Sequence, residues 1–195
     1  MRKFLLMSAF AAIVAVAPIA APAPGQDKTE PDIVVPFVPT NEKVVAAMLK
    51  LADVKKGDTV YDLGCGDGRI VIAAVKDFNA KRGLGVDFNP ERLKDCAARM
   101  KDQKLTPEQT KKITFKQGDV LKLTPEDFKD VDVVTLYLLP EVNLKLKPIL
   151  QKGLKPGARV VSHDFDMGDD WKPEKEEKVE ADRSHTIYLW TIKKP

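Results

Sequence analysis

The sequence predicts an α/β fold, with helices on both faces of one twisted, mostly parallel sheet of seven strands and an antiparallel last strand. Short apolar segments alternate with segments of helical period from residue 59 to residue 164, which is typical of a parallel sheet. The run 131–138 is apolar enough for a strand that is buried on both faces. Two strand segments at the end of the chain have no helix between them, which predicts an antiparallel pair.

The first predicted element is a helix that runs through Ala52. Either Thr40 or Asn41 can cap its start, because a side-chain oxygen there accepts a hydrogen bond from an unpaired backbone N–H. Apolar residues then recur at helical spacing at Val44, Val45, Met48, Leu49 and Ala52. One helix therefore precedes the first strand.

The remaining elements alternate between strand and helix until the final pair. In chain order they are the strand 59–63, the helix 69–78, the strand 83–87, the helix 90–101, a short helix or turn over 106–112, the strands 113–116 and 131–138, the helix 141–152, and the strands 159–164, 176–180 and 186–192. Asn89 is a natural cap for the second of these helices and Pro90 its natural first residue.

The composition favours one ordinary soluble domain and disfavours a nucleic-acid partner. The 195 residues are 44% hydrophobic and 31% charged, and the formal net charge is only +3. The longest charge run, 172–183, mixes both signs, whereas a protein that binds nucleic acid normally carries a clustered basic surface.

The first 25 residues have the layout of a secretory signal. Arg2 and Lys3 precede an apolar run over 4–17, and no acidic residue is present. The small residues of 23–25 suit a cleavage that leaves Gln26 first, followed by an extended linker over 26–39 and a domain over 40–195. Export to the periplasm or medium is therefore expected. The alternative is an uncleaved anchor over 4–23 that tethers the domain inside the cytoplasm.

A glycine loop after the first strand is the strongest indication of a ligand site. Asp62 ends that strand, and Gly64, Cys65, Gly66 and Gly68 follow it. Glycines permit close approach to a ligand, and the next helix offers backbone N–H groups to a ligand carboxylate. The loop is one residue shorter than the dinucleotide pattern, and its aspartate disfavours a pyrophosphate.

Two further aspartates follow the next two strands, where ligands of parallel sheets bind. Asp87 can accept hydrogen bonds from both hydroxyls of a ribose. Asp119 can accept one from an adenine amino group, with Val120 beside the ring. With the loop, they predict a ligand made of adenosine and an amino acid, which describes S-adenosyl-L-methionine. The alternative is that both aspartates only cap the segments that follow them.

These motifs resemble those of class I methyltransferases at 60–72, 85–87 and 118–119. More narrowly, the segments 36–40, 62–72 and 138–140 resemble a small protein-lysine methyltransferase family, in particular its bacterial members. The animal members modify proteins of the mitochondrial inner membrane, including the adenine nucleotide translocase and the c-ring protein of the ATP synthase.

The resemblance covers about 35–167 and implies a Rossmann-like fold, S-adenosylmethionine as cofactor, and Phe37 and Thr40 closing over it. The sequence departs from the animal pattern at Cys65, where serine is usual, and at Asp87, where glutamate is usual. The membrane anchoring of the family leaves the tether alternative open for the first 25 residues.

The acceptor side is expected after the fourth and fifth strands. The catalytic candidates are Tyr137, which can orient an amine, and Asp164 or Asp166, which can accept its proton. Glu141 and His163 lie nearby in sequence. Tyr137 as an ordinary core residue and His163 as a structural histidine are the alternatives.

Other acceptors and roles stay open. The segment 135–140 lacks the Asn/Asp-Pro-Pro-aromatic motif of adenine-N6 and glutamine-amide methyltransferases, which disfavours those substrates. A small-molecule O- or N-methyltransferase is the rival to a protein-lysine enzyme. A noncatalytic cofactor-binding or scaffold protein is the third hypothesis, since export would separate the domain from cytoplasmic S-adenosylmethionine.

Neither a metal site nor a disulfide is predicted. The two cysteines, Cys65 and Cys96, and the two histidines, His163 and His185, do not occur at short metal-ligand spacings.

Overall fold

A computed structural model describes residues 37–193 of the chain. Its helices and strands are α1 Glu42–Leu51, β1 Thr59–Leu63, α2 Arg69–Lys76, β2 Arg82–Asp87, α3 Pro90–Asp102, α4 Pro107–Lys111, β3 Ile113–Gln117, β4 Val133–Leu136, α5 Pro140–Gly153, β5 Arg159–His163, β6 Lys175–Glu180 and β7 Ser184–Thr191. The predicted signal or anchor and most of the predicted linker lie outside the described residues.

The seven strands form one sheet in the order β3-β2-β1-β4-β5-β7-β6. Strands β1 to β5 pair in parallel, whereas β7 pairs antiparallel with both of its neighbours. The predicted architecture is therefore confirmed. The strand order reverses between β1 and β4, and such a switch point opens a crevice at the carboxyl ends of the strands.

The helix starts follow the local chemistry that the sequence predicts. The Asn41 side chain caps α1 by accepting a hydrogen bond from the backbone N–H of Lys43. Asn89 caps α3 in the same way, and Pro90 is the first residue of that helix. These caps fix where each helix leaves the crevice.

Two predicted boundaries are wrong, both at the crevice. The strand β4 covers Val133–Leu136, which is shorter than the predicted 131–138. Residues 137–139 leave the sheet because Pro140 starts α5 directly after them. Two 3₁₀ turns, Val120–Lys122 and Pro125–Phe128, also occupy a segment for which no regular structure is predicted.

The core lies between the sheet and the helices that cover it. Every residue of β1 and β4 is buried, as expected for the central strands of a parallel sheet. Apolar residues of α1 and α2 pack in the main core cluster with Val60 of β1. Within residues 37–193, no helix has the length and apolar character that crossing a membrane requires.

Candidate active site

The loop between β1 and α2 depends on its glycines. Gly64, Gly66 and Gly68 have φ angles of 77°, 53° and 77°, a left-handed region that favours glycine. A Cβ atom on Gly66 would lie 2.5 Å from the ring of Phe37. The Phe37 ring therefore lies directly on the loop, although 45% of the residue is exposed. The Arg92 guanidinium lies 4.3 Å from the centre of that ring.

Asp87 joins the end of β2 to the glycine loop. Its Oδ2 accepts a hydrogen bond of 2.9 Å from the backbone N–H of Gly66. Its Oδ1 accepts one of the same length from the backbone N–H of Asn89. The Asp87 carboxylate thus lies against the loop, at the edge of the sheet where the sequence places it.

The start of α2 is already occupied by a side chain of the chain itself. Asp67 accepts hydrogen bonds from the backbone and guanidinium of Arg69 and from Arg99. Although burial opposes ionisation, these arginines hold the pKa of Asp67 below its usual range. Arg69 also donates to the carbonyl of Thr40 at 2.7 Å. A ligand carboxylate at this helix start is therefore a wrong expectation, since Asp67 lies there.

Asp62 is a buried carboxyl group without an ion-pair partner among the described residues. The Thr135 hydroxyl donates a hydrogen bond of 2.6 Å to its Oδ1. Burial raises the pKa of Asp62 to about 7, and the hydrogen bond from Thr135 opposes that rise only in part. The group is therefore poised to ionise when a positive charge arrives beside it.

Asp119 and Val120 lie after β3, and both are half-buried. Asp119 Oδ1 accepts a hydrogen bond of 2.9 Å from the backbone N–H of Leu121, so the capping alternative is realised at this position. The carboxylates of Asp62, Asp87 and Asp119 all follow neighbouring parallel strands, β1 to β3, at the same edge of the sheet.

A second cluster lies after β4 and β5. The Tyr137 ring packs on His163 with 3.9 Å between ring centres. Asp164 has a left-handed φ of 59°, which aspartate tolerates better than most residues. Its carboxylate pairs with Arg183 and accepts a hydrogen bond of 3.0 Å from the backbone N–H of Thr186. Although burial opposes it, these contacts keep the pKa of Asp164 below its usual range.

The structure separates the remaining acceptor-side candidates from this cluster. Glu141 is exposed in the first turn of α5. Asp166 is exposed as well, and its Oδ1 accepts a hydrogen bond from the backbone N–H of Gly168. Tyr137 and Asp164 are therefore the two predicted catalytic residues that meet in one cluster.

Comparison with known proteins decides the family. The model of the ANTKMT methyltransferase domain matches residues 62–175, which is more than half of the chain. A protein-lysine N-methyltransferase of Saccharolobus islandicus is 46% identical over 159 residues, or 81% of this chain and 94% of the relative. The chain belongs to the ANTKMT methyltransferase family.

Two further relatives agree with this assignment. A human lysine N-methyltransferase, named for its action on the c-ring protein of the ATP synthase, is 31% identical over 143 residues, which are 73% of this chain and 56% of the relative. The crystal structure of an RNA methyltransferase from Salinibacter ruber, in complex with S-adenosyl-L-homocysteine, is 45% identical with a TM-score of 0.70. It aligns with 81% of this chain and 95% of its own. The chain is an S-adenosylmethionine-dependent methyltransferase, and the predicted fold, enzyme class and cofactor are confirmed.

Sequence reasoning missed how this methyltransferase brings its two histidines together. His163 ends β5, His185 lies on the neighbouring β7, and their Nε2 and Nδ1 atoms are 2.8 Å apart. With Asp164, their donor atoms lie within 4.8 Å of one another, so the argument from sequence spacing overlooked a cluster. These atoms already bond to each other and to Arg183. Only the strand register could have revealed the contact.

The two cysteines of the methyltransferase are both reduced and buried. The hydrogen bond between the thiols of Cys65 and Cys96, together with burial, raises the pKa of Cys65 far above its usual range. The Cys96 thiol also lies 3.1 Å from the carbonyl of Gly66. Both thiols therefore support the loop and are poor nucleophiles.

Proposed function

We propose that this methyltransferase modifies the ε-amine of lysine in a protein. The observation that carries the proposal is the likeness to the Saccharolobus protein-lysine N-methyltransferase, which extends over 94% of that relative. The human relative that acts on a lysine of the ATP synthase c-ring protein supports the same acceptor group.

The cofactor is proposed to lie across the carboxyl ends of β1, β2 and β3. Asp87 accepts the two ribose hydroxyls, and Asp119 accepts the adenine amino group beside Val120. Neither carboxylate has a salt bridge among the described residues, which fits neutral hydrogen-bond donors. When bound, S-adenosylmethionine supplies a methyl group on a sulfonium for in-line displacement.

The amino-acid part of the cofactor is proposed to lie beside Asp62. An ammonium group there would stabilise the ionised form of a carboxyl group that burial otherwise keeps half protonated near neutral pH. Gly64, Gly66 and Gly68 keep side chains away from this space, because none of them has a Cβ atom. Phe37 lies on Gly66, so the segment 37–40 is proposed to cover the bound cofactor and exclude water.

The acceptor amine is proposed to meet Tyr137 and Asp164. A lysine amine with an ordinary pKa of ~10.4 costs about 4.6 kcal/mol to deprotonate at pH 7, so the site must help to remove its proton. Asp164 is partly accessible and ionised, and Tyr137 packs at the mouth of the same cluster. The carboxylate accepts the proton, while the phenol orients the amine.

RNA is the second candidate acceptor, because the Salinibacter relative was described as an RNA methyltransferase. The charge balance favours protein instead. The chain has 32 basic and 29 acidic residues, whereas affinity for RNA depends on neutralising many phosphates. Protein, with a small molecule as the alternative, is therefore the proposed acceptor.

The test is transfer of tritiated methyl groups from S-adenosylmethionine into a mixture of soluble and membrane proteins, total RNA and small molecules. The expected product survives nuclease, is lost on protease treatment, and yields methyl-lysine after acid hydrolysis. Label that is lost only with nuclease would move the assignment to RNA. An Asp87→Ala variant gives the background of the assay.

For residues 1–25 we propose export, with a membrane tether as the alternative. The support is the charge and apolar pattern of that segment alone. Cofactor made in the cytoplasm favours the tether, since an exported domain would need a separate supply. Mass spectrometry of the protein from separated cell fractions tests this: a chain that begins at Gln26 outside the cytoplasm supports export, and an intact membrane-bound chain supports the tether.

A further inference from the structure

A continuous row of hydrogen bonds runs from Thr40 to the protein surface. The Thr40 hydroxyl lies 3.2 Å from Nδ1 of His163. Nε2 of His163 lies 2.8 Å from Nδ1 of His185, and Nε2 of His185 lies 3.2 Å from Asp182. Thr40 is buried in the segment proposed to cover the cofactor, whereas Asp182 is exposed.

The chemistry of the outer end fixes the protons along this row. The hydrogen bond from His185 holds the pKa of Asp182 below its usual range, so Asp182 is a carboxylate that only accepts. His185 therefore carries its proton on Nε2 and accepts at Nδ1. His163 in turn donates from Nε2 and accepts at Nδ1 from the Thr40 hydroxyl. Every donor in the row points outward.

The surroundings keep both imidazoles neutral. His163 and His185 are 1% and 4% exposed, and burial lowers the pKa of His163 to about 4. The groups that face the pair are Tyr137, Asp164, Arg183, Asp182 and the Thr40 hydroxyl. Arg183 balances the charge of Asp164, so the pair has a neighbourhood without a large excess of either charge.

We propose that His163 and His185 relay the proton that the methyl acceptor releases from the site to Asp182 at the surface. This proposal rests on the proposed function, since a lysine enzyme must dispose of one proton for each methyl group that it transfers. The two histidines are positioning residues in this scheme, because neither needs to touch the acceptor.

Each transfer breaks one bond to hydrogen and forms another. The ammonium gives a proton to Thr40 Oγ1 while the hydroxyl proton of Thr40 moves to Nδ1 of His163. The Nε2 proton of His163 passes to Nδ1 of His185, and the Nε2 proton of His185 passes to Asp182 and then to water. After product release, water in the open site takes the Nδ1 proton of His163, and reverse transfers restore both tautomers.

The test compares methyl transfer at saturating S-adenosylmethionine from pH 7 to pH 10. The acceptor is the protein fraction that the wild-type enzyme labels. His185→Gln keeps a hydrogen-bonding side chain but cannot relay a proton. We expect its rate to fall at least ~10-fold at pH 7 and to come within ~2-fold of the wild type at pH 10, where about a third of lysine amines are already neutral.

Asp182→Asn interrupts the same row at an exposed position, where a folding defect is not expected. It should show the same pH-dependent deficit, while Asp169→Asn, an exposed carboxylate on another loop, should match the wild type. Affinity for S-adenosylhomocysteine should be unchanged in all three variants.

Two results would overturn the relay. The first is an equal loss at every pH, which would indicate a structural role for the histidines. The second is wild-type activity of either His185→Gln or Asp182→Asn at pH 7. Failure of the wild-type enzyme to label any protein would instead overturn the proposed function, so the two failures are distinct.

Discussion

The two ends of the crevice treat their carboxylates differently. At the proposed cofactor end, Asp62, Asp87 and Asp119 bond to a hydroxyl or to backbone N–H groups, and no salt bridge among the described residues involves them. At the proposed acceptor end, Asp164 pairs with Arg183 beside two buried imidazoles. The first end offers acceptors to a polar ligand, while the second already satisfies its own groups. We therefore expect binding to depend on the first end and proton removal on the second.

The largest expected effect tests the cofactor end. Asp87→Ala removes two charge-assisted hydrogen bonds to the ribose, each worth ~1.5–3 kcal/mol, and releases the N–H of Gly66. Affinity for S-adenosylhomocysteine should fall at least about 100-fold in calorimetric titration. The matched surface change Asp169→Ala should have no effect. Retained affinity in Asp87→Ala would place the ribose elsewhere.

The next effect concerns the stability of the acceptor end at low pH. The pKa of His163 is about 4 in the folded chain against 6.5 as its ordinary value, so the unfolded state binds the proton more readily. Wild-type stability should therefore fall as the pH drops from about 6.5 to 4, by about 3 kcal/mol relative to His163→Gln. Urea unfolding at several pH values measures the difference.

Asp62 acts in the opposite direction in that experiment. Its raised pKa lets the folded state hold a proton that the unfolded chain has lost between about pH 4 and 7, which favours folding as the pH falls. The comparison with His163→Gln cancels this contribution. Equal pH dependence of the two proteins would mean that His163 is not a neutral buried group.

A smaller effect concerns the pH dependence of cofactor binding. Because the pKa of Asp62 is about 7 without ligand, pairing with an ammonium requires loss of a proton at low pH. Affinity for S-adenosylhomocysteine should therefore be about ten-fold weaker at pH 6 than at pH 8. Asp62→Asn should bind weakly at both values. A flat profile for the wild type would exclude the contact between Asp62 and the ammonium.

The smallest expected effect is at the position where serine is usual in the animal relatives. Cys65→Ser keeps a small hydrogen-bonding group beside Cys96, so cofactor affinity should change less than about three-fold. Cys65→Phe is the contrasting change, because a large side chain would collide with Gly85, whose missing Cβ leaves only 2.9 Å to the Cys65 sulfur. Equal binding by both variants would show that this packing does not support the loop.

The sequence predicts the cofactor end better than the acceptor end, for a physical reason. Asp62, the glycines and Asp87 lie within 26 residues and follow consecutive parallel strands, so local patterns suffice to find them. The contact of His163 with His185 and the pairing of Asp164 with Arg183 depend on the antiparallel register of β5 and β7. The role of Asp67 is equally hard to predict, because its partner Arg99 lies on a different helix.

The most direct measurement is the pairing of cofactor affinity with methyl transfer in Asp164→Asn. Asparagine tolerates the left-handed backbone at this position and can still accept from Thr186, but it cannot accept a proton. We predict affinity for S-adenosylhomocysteine within about two-fold of the wild type and transfer to lysine at pH 7 reduced at least about 100-fold. Full activity, or a parallel loss of affinity and transfer, would contradict the division of the crevice into a binding end and a proton-removing end.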